Sequence, residues 1–313
     1  MDKHNKSGSK SQEGHPQHPF INTAHLKSIK EKRQQFPSSE DLISKILSGD
    51  MTSLSRAITL IESTNSKHCE QANTLIKGCL PYANNSIRIG ITGVPGVGKS
   101  TFIESFGTYL TKLNKKVAVL AIDPSSSLTK GSILGDKTRM EDLVKKKNAF
   151  VRPSASGGSL GGVARKTREA IILCEAAGFN IILVETVGVG QSEIAVHSMV
   201  DFFLLMKLAG AGDELQGIKR GIIEMADSIV INKADGDNLI NAKLAKVEFE
   251  NALHLYPKKM SQWQPKVTLC SALKDEGISN IWEDIKTYDN LIKNNAHFST
   301  KRHEQNKFWL LQT

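Results

Sequence analysis

The 313-residue sequence is poor in cysteine, with four, and in aromatic residues, at 6%. Nowhere does an apolar run approach the ~18 residues that a membrane-spanning helix needs, so no membrane span is expected. Cys69, Cys79, Cys174 and Cys270 are scattered without a C-x-x-C pair. That spacing argues against a metal centre or a disulfide framework and predicts small apolar core residues. The first twenty residues, MDKHNKSGSKSQEGHPQHPF, contain neither an apolar leader segment nor an Arg-rich amphipathic pattern. A cytoplasmic location is the expectation. The net charge of +9 is gathered largely around KSIKEKR and the tail KRHEQNK, without base-reading or stacking elements beside it. Solvated basic tails, and no nucleic-acid partner, are therefore predicted. His4, His15, His18 and His25 belong to the same polar tail.

What is present begins after that tail. Residues 1–37, rich in Ser, Gln, Lys, His and Gly, are expected to be disordered. SSEDLISKILSGD reads as a short helix capped by Ser38 or Ser39, with Leu42, Ile43, Ile46 and Leu47 on one face and Gly49 ending it. MTSLSRAITLIES and CEQANTLIKGCL continue the helical period to about residue 80, and residues 38–82 form an N-terminal helical segment. From residue 86, the apolar runs IRIGITG, KVAVLAID, NIILVET, DFFLLMKL, SIVINK and KVTLCSA alternate with helical patterns. Continuous apolar strands separated by helices predict an α/β fold, a largely parallel central sheet flanked by helices. Ligands of such sheets sit at the carboxyl ends of the strands.

GVPGVGKS at residues 93–100 matches G-x-x-x-x-G-K-[ST], follows a strand and opens the helix STFIESFGTYL. Gly93, Val94, Pro95, Gly96, Val97 and Gly98 supply backbone N–H groups to phosphate oxygens, and Lys99 reaches the β- and γ-phosphates. The Ser100 hydroxyl would ligate Mg²⁺, with Thr101 beside it in the first helical turn. Asn232, Lys233 and Asp235 form N-K-x-D at the end of a later strand. An aspartate there accepts from guanine N1–H and the N2 amine together; adenine offers no such donor pair and would leave it buried and unpaired. Ser271, Ala272 and Leu273, after another strand, fit the backbone contact behind guanine O6. The nucleotide is therefore GTP or GDP. Glu185 and Gly188 occupy E-x-x-G at the end of NIILVE, an acid for the metal and an N–H for the γ-phosphate. Asp123 and Asp136 are further magnesium candidates, and Arg139 is a candidate phosphate contact. Val189 stands where a catalytic glutamine would follow the glycine; Gln191 is the nearby candidate to orient the attacking water.

AIDPSSSLTKGSILGDKTRM, VRPSASGGSLGGVARKTREAIILCEAAG, ILVETVGVGQSE and GAGDELQGIKRGIIEMAD together resemble the MeaB/ArgK GTPases, over residues of about 40 to 310. The resemblance implies a P-loop GTPase that serves an adenosylcobalamin-dependent acyl-CoA mutase such as methylmalonyl-CoA mutase, gating cofactor loading and protecting or reactivating the mutase. It implies Ser100, Asp123, Asp136 and Glu185 at magnesium positions; the phosphoryl-transfer template makes Lys99, Glu185 and Gln191 the expected catalytic set. It also implies a signalling loop in which Asp213, Gln216 and Lys219 relay the nucleotide state. The GTPase domain would span residues 83–292. Residues 293–313 would begin a C-terminal helical extension that serves homodimerisation in the family and is shortened here. No D-x-H-x-x-G motif occurs, so cobalamin is expected on the partner. The rival readings are a kinase or ATPase linked to basic amino-acid transport and a nickel metallochaperone GTPase.

Overall fold

The computed structural model describes residues 37–122, 140–153, 160–186, 192–209 and 220–312. Residues 39–313 form one unit. Among the described residues, seven strands lie in one sheet: β1 (Ile87–Gly93), β2 (Val117–Ile122), β3 (Ala149–Arg152), β4 (Ile181–Thr186), β5 (Phe202–Leu208), β6 (Ser228–Asn232) and β7 (Lys266–Leu269). Their order is β3-β2-β4-β1-β5-β6-β7, and every pairing is parallel. β1, β2 and β4 are buried along their whole length. That explains why their sequences read as continuous apolar runs.

Successive residues of a strand face opposite sides, and the core divides accordingly. Ala118, Leu120 and Ile122 of β2, with Ile182 and Val184 of β4, enter one layer; Val117, Val119, Ile181 and Leu183 enter the other. The first layer is covered by α1 (Ser39–Leu47), α2 (Met51–Glu62), α3 (Ser66–Cys79), α6 (Leu160–Ala176) and α7 (Ser192–His197). In α1, Leu42 and Ile46 are fully buried, while Leu47 lies at the margin. Asp50 caps α2 by accepting from the Ser53 N–H at 2.7 Å, and Asn65 caps α3 from Lys67 at 3.1 Å. The second layer is covered by α4 (Lys99–Lys112), the single turn α5 (Glu141–Val144) and α10 (Ile278–Asn294). α8 (Arg220–Met225) and α9 (Leu239–His254) close a third cluster over β5, β6 and β7. Of the cysteines, Cys79, Cys174 and Cys270 are buried as expected, whereas Cys69 is exposed.

The last helix, α11 (His297–Gln312), is tied to the amino ends of the strands rather than projecting from the domain. Arg302 clamps the Asp201 carboxylate with two bonds of 2.6 Å, and Gln305 Nε2 donates to Val200 O at 2.8 Å. Beside it, Arg88 clamps Glu175 with two bonds of 2.8 Å. Burial opposes ionisation of Glu175, but the Arg88 guanidinium, the Ser86 hydroxyl and the Asn84 N–H overcome it and hold the carboxyl below its ordinary range. No described helix is long and apolar enough to cross a membrane.

Candidate functional site

At the carboxyl end of the central strand β1 the chain turns through residues 93–98 into α4. The turn requires glycine at two places for different reasons. A Cβ at Gly93 would stand 2.5 Å from Met206 O on the neighbouring strand, so the loop can pass β5 only without a side chain. Gly98 has φ +92, and a Cβ there would stand 2.7 Å from Asn232 Nδ2. Lys99 opens α4 and is buried; its Nζ donates to Gly93 O at 2.7 Å and to Val94 O at 3.3 Å. An ammonium has three donors, so one remains for an anionic oxygen. Burial lowers the Lys99 pKa, while the Glu185 and Glu193 carboxylates act to keep it charged.

Ser100 Oγ lies 3.5 Å from Glu185 Oε1, bringing the end of β4 against the first turn of α4. Glu185 is buried, and the next residue, Thr186, donates to Thr92 Oγ1 at 2.9 Å, fixing the two strand ends together. A hydroxyl and a carboxylate converging beside a phosphate loop are hard oxygen donors of the kind Mg²⁺ takes.

The guanine-type motif is held to the phosphate loop by one side chain. Asn232, buried at the end of β6, donates through Nδ2 to Val97 O at 2.8 Å and accepts at Oδ1 from Ala272 N–H at 3.1 Å. Asp235 Oδ2 accepts from Ser271 Oγ at 2.6 Å, and Lys274 Nζ stands 3.9 Å away. Lys233 between them takes a left-handed φ of +58°, which turns the chain out of the strand. Residues 271–276 close on themselves through the Ser271–Glu276 bridge, leaving Leu273 exposed. The backbone of β1, β4, β6 and β7 thus brings together Gly93–Thr101, Glu185, Asn232, Lys233, Asp235, Ser271, Ala272 and Leu273. Asp123, Asp136, Arg139, Gly188, Gln191, Asp213, Gln216 and Lys219 lie outside the described residues. Sequence reading missed two contributors: Glu193, buried at the start of α7 and acting on Lys99, and the linking role of Asn232. The acid in the GQSE stretch was the available signal for the first; nothing local signals the second.

With this geometry in place, comparison with known proteins decides the family. A family model described as "Methylmalonyl Co-A mutase-associated GTPase MeaB" matches residues 54–313. The chain belongs to the MeaB family of GTPases. It is 48% identical to the GTPase ArgK of Escherichia coli (strain K12) over 268 residues, which is 86% of this chain and 81% of that protein. It is 44% identical to the mitochondrial methylmalonic aciduria type A homolog of Mus musculus over 296 residues, 91% of this chain and 71% of the mouse protein. A solved structure described as an LAO/AO transport system kinase superposes with a TM-score of 0.77 at 40% identity, covering 88% of this chain and 82% of the other. As a MeaB-family member the chain is a P-loop GTPase, and its nucleotide is GTP or GDP.

Proposed function

We propose that this GTPase is a chaperone of an adenosylcobalamin-dependent acyl-CoA mutase, coupling GTP hydrolysis to loading, protection and reactivation of the mutase. The observation that carries the reading is the match to a mutase-associated family over residues 54–313. The likeness to the mouse methylmalonic aciduria type A homolog, extending over 91% of this chain, agrees with it.

In the proposed mechanism the loop amides of residues 93–98 and the Lys99 ammonium hold the β- and γ-phosphates and offset the charge that develops on them. Ser100 and Glu185, with Asp123 and Asp136, would hold Mg²⁺, which would supply charge neutralisation at the phosphate oxygens. Asp235 reads the guanine N1–H and N2 amine, kept in position by the Ser271 hydroxyl, while the backbone of the 271–273 loop backs O6. Arg139 contacts a phosphate. Gly188 donates to the γ-phosphate, so that hydrolysis releases the segment leading to Gln191, which orients the attacking water. Asp213, Gln216 and Lys219 carry that change to the mutase. Hydrolysis by the isolated chain is slow and rises when the mutase orders these segments.

The test is GTP turnover by the purified protein with and without methylmalonyl-CoA mutase, with ATP as control. Stimulation by the mutase, abolished in D213A or Q216A, supports the reading. A GTPase indifferent to that mutase rules it out as the partner.

A further inference from the structure

The helix that opens at the phosphate loop meets the guanine-type loop a second time, further along its length. Ser105 of α4 is buried, and its Oγ donates to Asp275 Oδ1 across 170 positions of sequence. Ser105 stands about 7.5 Å along the helix axis from Ser100. One rigid helix therefore carries the phosphate-side hydroxyl at its first turn and a tie to the base-side loop one turn later.

Asp275 belongs to a turn closed on itself. The Ser271 N–H donates to Glu276 O at 3.0 Å, the Glu276 N–H returns to Ser271 O at 3.1 Å, and the Lys274 N–H donates to Ser271 O at 3.2 Å. The inner end of the turn is the end that serves the base: Ser271 holds Asp235, and the Ala272 N–H is held by Asn232. Its outer part, Leu273 to Glu276, is exposed, so burial does little to hold it. Asp275 also takes a left-handed φ of +58°, a conformation that persists in a non-glycine residue where the surroundings hold it. The side chain that could hold it is the one bonded to α4. Asn232 alone, through Val97, would leave the turn free to pivot about a single attachment to the phosphate-binding element. A second attachment at Asp275 removes that freedom.

We propose that Ser105 and Asp275 are positioning residues for nucleotide recognition, their bond locking the 271–276 turn to the phosphate-binding helix so that base and phosphates are read at one spacing. The pair acts through Ser271 and Asp235, not by contact with the nucleotide, and the inference rests on the base-reading role given to Asp235 above. With the bond removed, the phosphate contacts stay in place and the base contacts loosen. The loss therefore falls on the part of the affinity that depends on the base.

The test is calorimetric binding of GDP and of inosine diphosphate, which lacks the N2 amine, to the full chain with Mg²⁺. GTP turnover at saturation and thermal unfolding without nucleotide accompany it. S105A should weaken GDP more than inosine diphosphate, so that the preference for GDP falls about three- to tenfold, while kcat at saturating GTP stays within about twofold. D275G keeps the left-handed turn without a side chain. It should unfold no earlier than wild type and still lose the same preference, which separates positioning from stability. D275N keeps an acceptor for the Ser105 hydroxyl and should bind both nucleotides as wild type does. A preference unmoved in S105A and D275G overturns the proposal, as does an equal loss for both nucleotides or a loss that D275N shares. D235N distinguishes the two ways of failing. If it lowers the preference and S105A does not, the positioning pair alone is wrong; if neither variant lowers it, the base-reading role of Asp235 has failed and the pair falls with it.

Discussion

Asp235 and Asn232 stand three residues apart and do unlike work. In the proposed role Asp235 meets the base, so exchanging its carboxylate for an amide would replace an acceptor with a donor. D235N should lower the preference for GTP over xanthosine triphosphate on the order of 10²-fold, because xanthine carries a carbonyl where guanine carries its amine. Competitive turnover of the two triphosphates measures this, and an unchanged preference would remove Asp235 from base recognition. Asn232 holds the phosphate loop to the Ser271–Leu273 loop through two buried bonds. N232A leaves Val97 O and the Ala272 N–H unpaired and should cost about 1–3 kcal/mol of stability. N232D keeps the Ala272 bond but sets a buried carboxylate oxygen against Val97 O, two acceptors face to face. Thermal unfolding of both variants checks the order, with N232D the lower. G98A adds strain at φ +92 and a 2.7 Å contact with Asn232 Nδ2, and should weaken nucleotide binding more than global stability.

Elements differ in how plainly the sequence announces them. β1, β2, β4, β5 and β6 are legible because strands covered on both faces are apolar throughout. α4 is legible because the phosphate loop fixes its first residue. β3 is absent from the sequence expectation: Ala149–Arg152 is a four-residue edge strand in which only Ala149 is fully buried, so it carries neither a continuous run nor an alternation. The C-terminal extension is legible as helical, but its anchoring is not. KRHEQNKFW reads as a solvated basic tail, yet Arg302, Gln305 and Trp309 of α11 are buried. R302M should remove the clamp on Asp201 and leave that buried carboxylate without its main cation, at a cost of about 3–5 kcal/mol. Chemical denaturation would read the loss, and a change below ~1 kcal/mol would show the clamp to be replaceable.

The whole molecule adds a dependence on pH. His197, half-buried at the end of α7, has its pKa pushed down from 6.5 to about 4, first by burial and then by the Lys301 ammonium, with Asp227 opposing. The unfolded chain therefore binds this proton at a higher pH than the folded one. Stability contributed by the neutral ring is complete above about pH 6.5 and declines as the pH falls towards 4. H197F, which keeps an aromatic ring against Phe203 (edge contact 5.5 Å in the wild type), should flatten the fall between pH 6.5 and 4 by on the order of 1–3 kcal/mol. Denaturant midpoints measured across that range decide the matter; parallel curves for wild type and variant would exclude His197 as the titrating group.

By itself the sequence determined the fold class, the phosphate loop and the guanine-type motif. Each of these depends on contiguous backbone: a glycine pattern that permits one turn, an N-K-x-D at the end of an apolar run, a helix beginning at a fixed residue. Tertiary structure alone decided how those pieces are joined. Asn232 meets Val97 across 135 positions, and Arg302 meets Asp201 across 101. A side chain finds such partners only after the sheet has brought distant strand ends together, and no local spacing encodes that meeting. The same holds for α9. Its apolar residues surround the helix, and only the packing of Phe249 onto β6 and β7 determined that Ile240, Leu244 and Val247 would face outward.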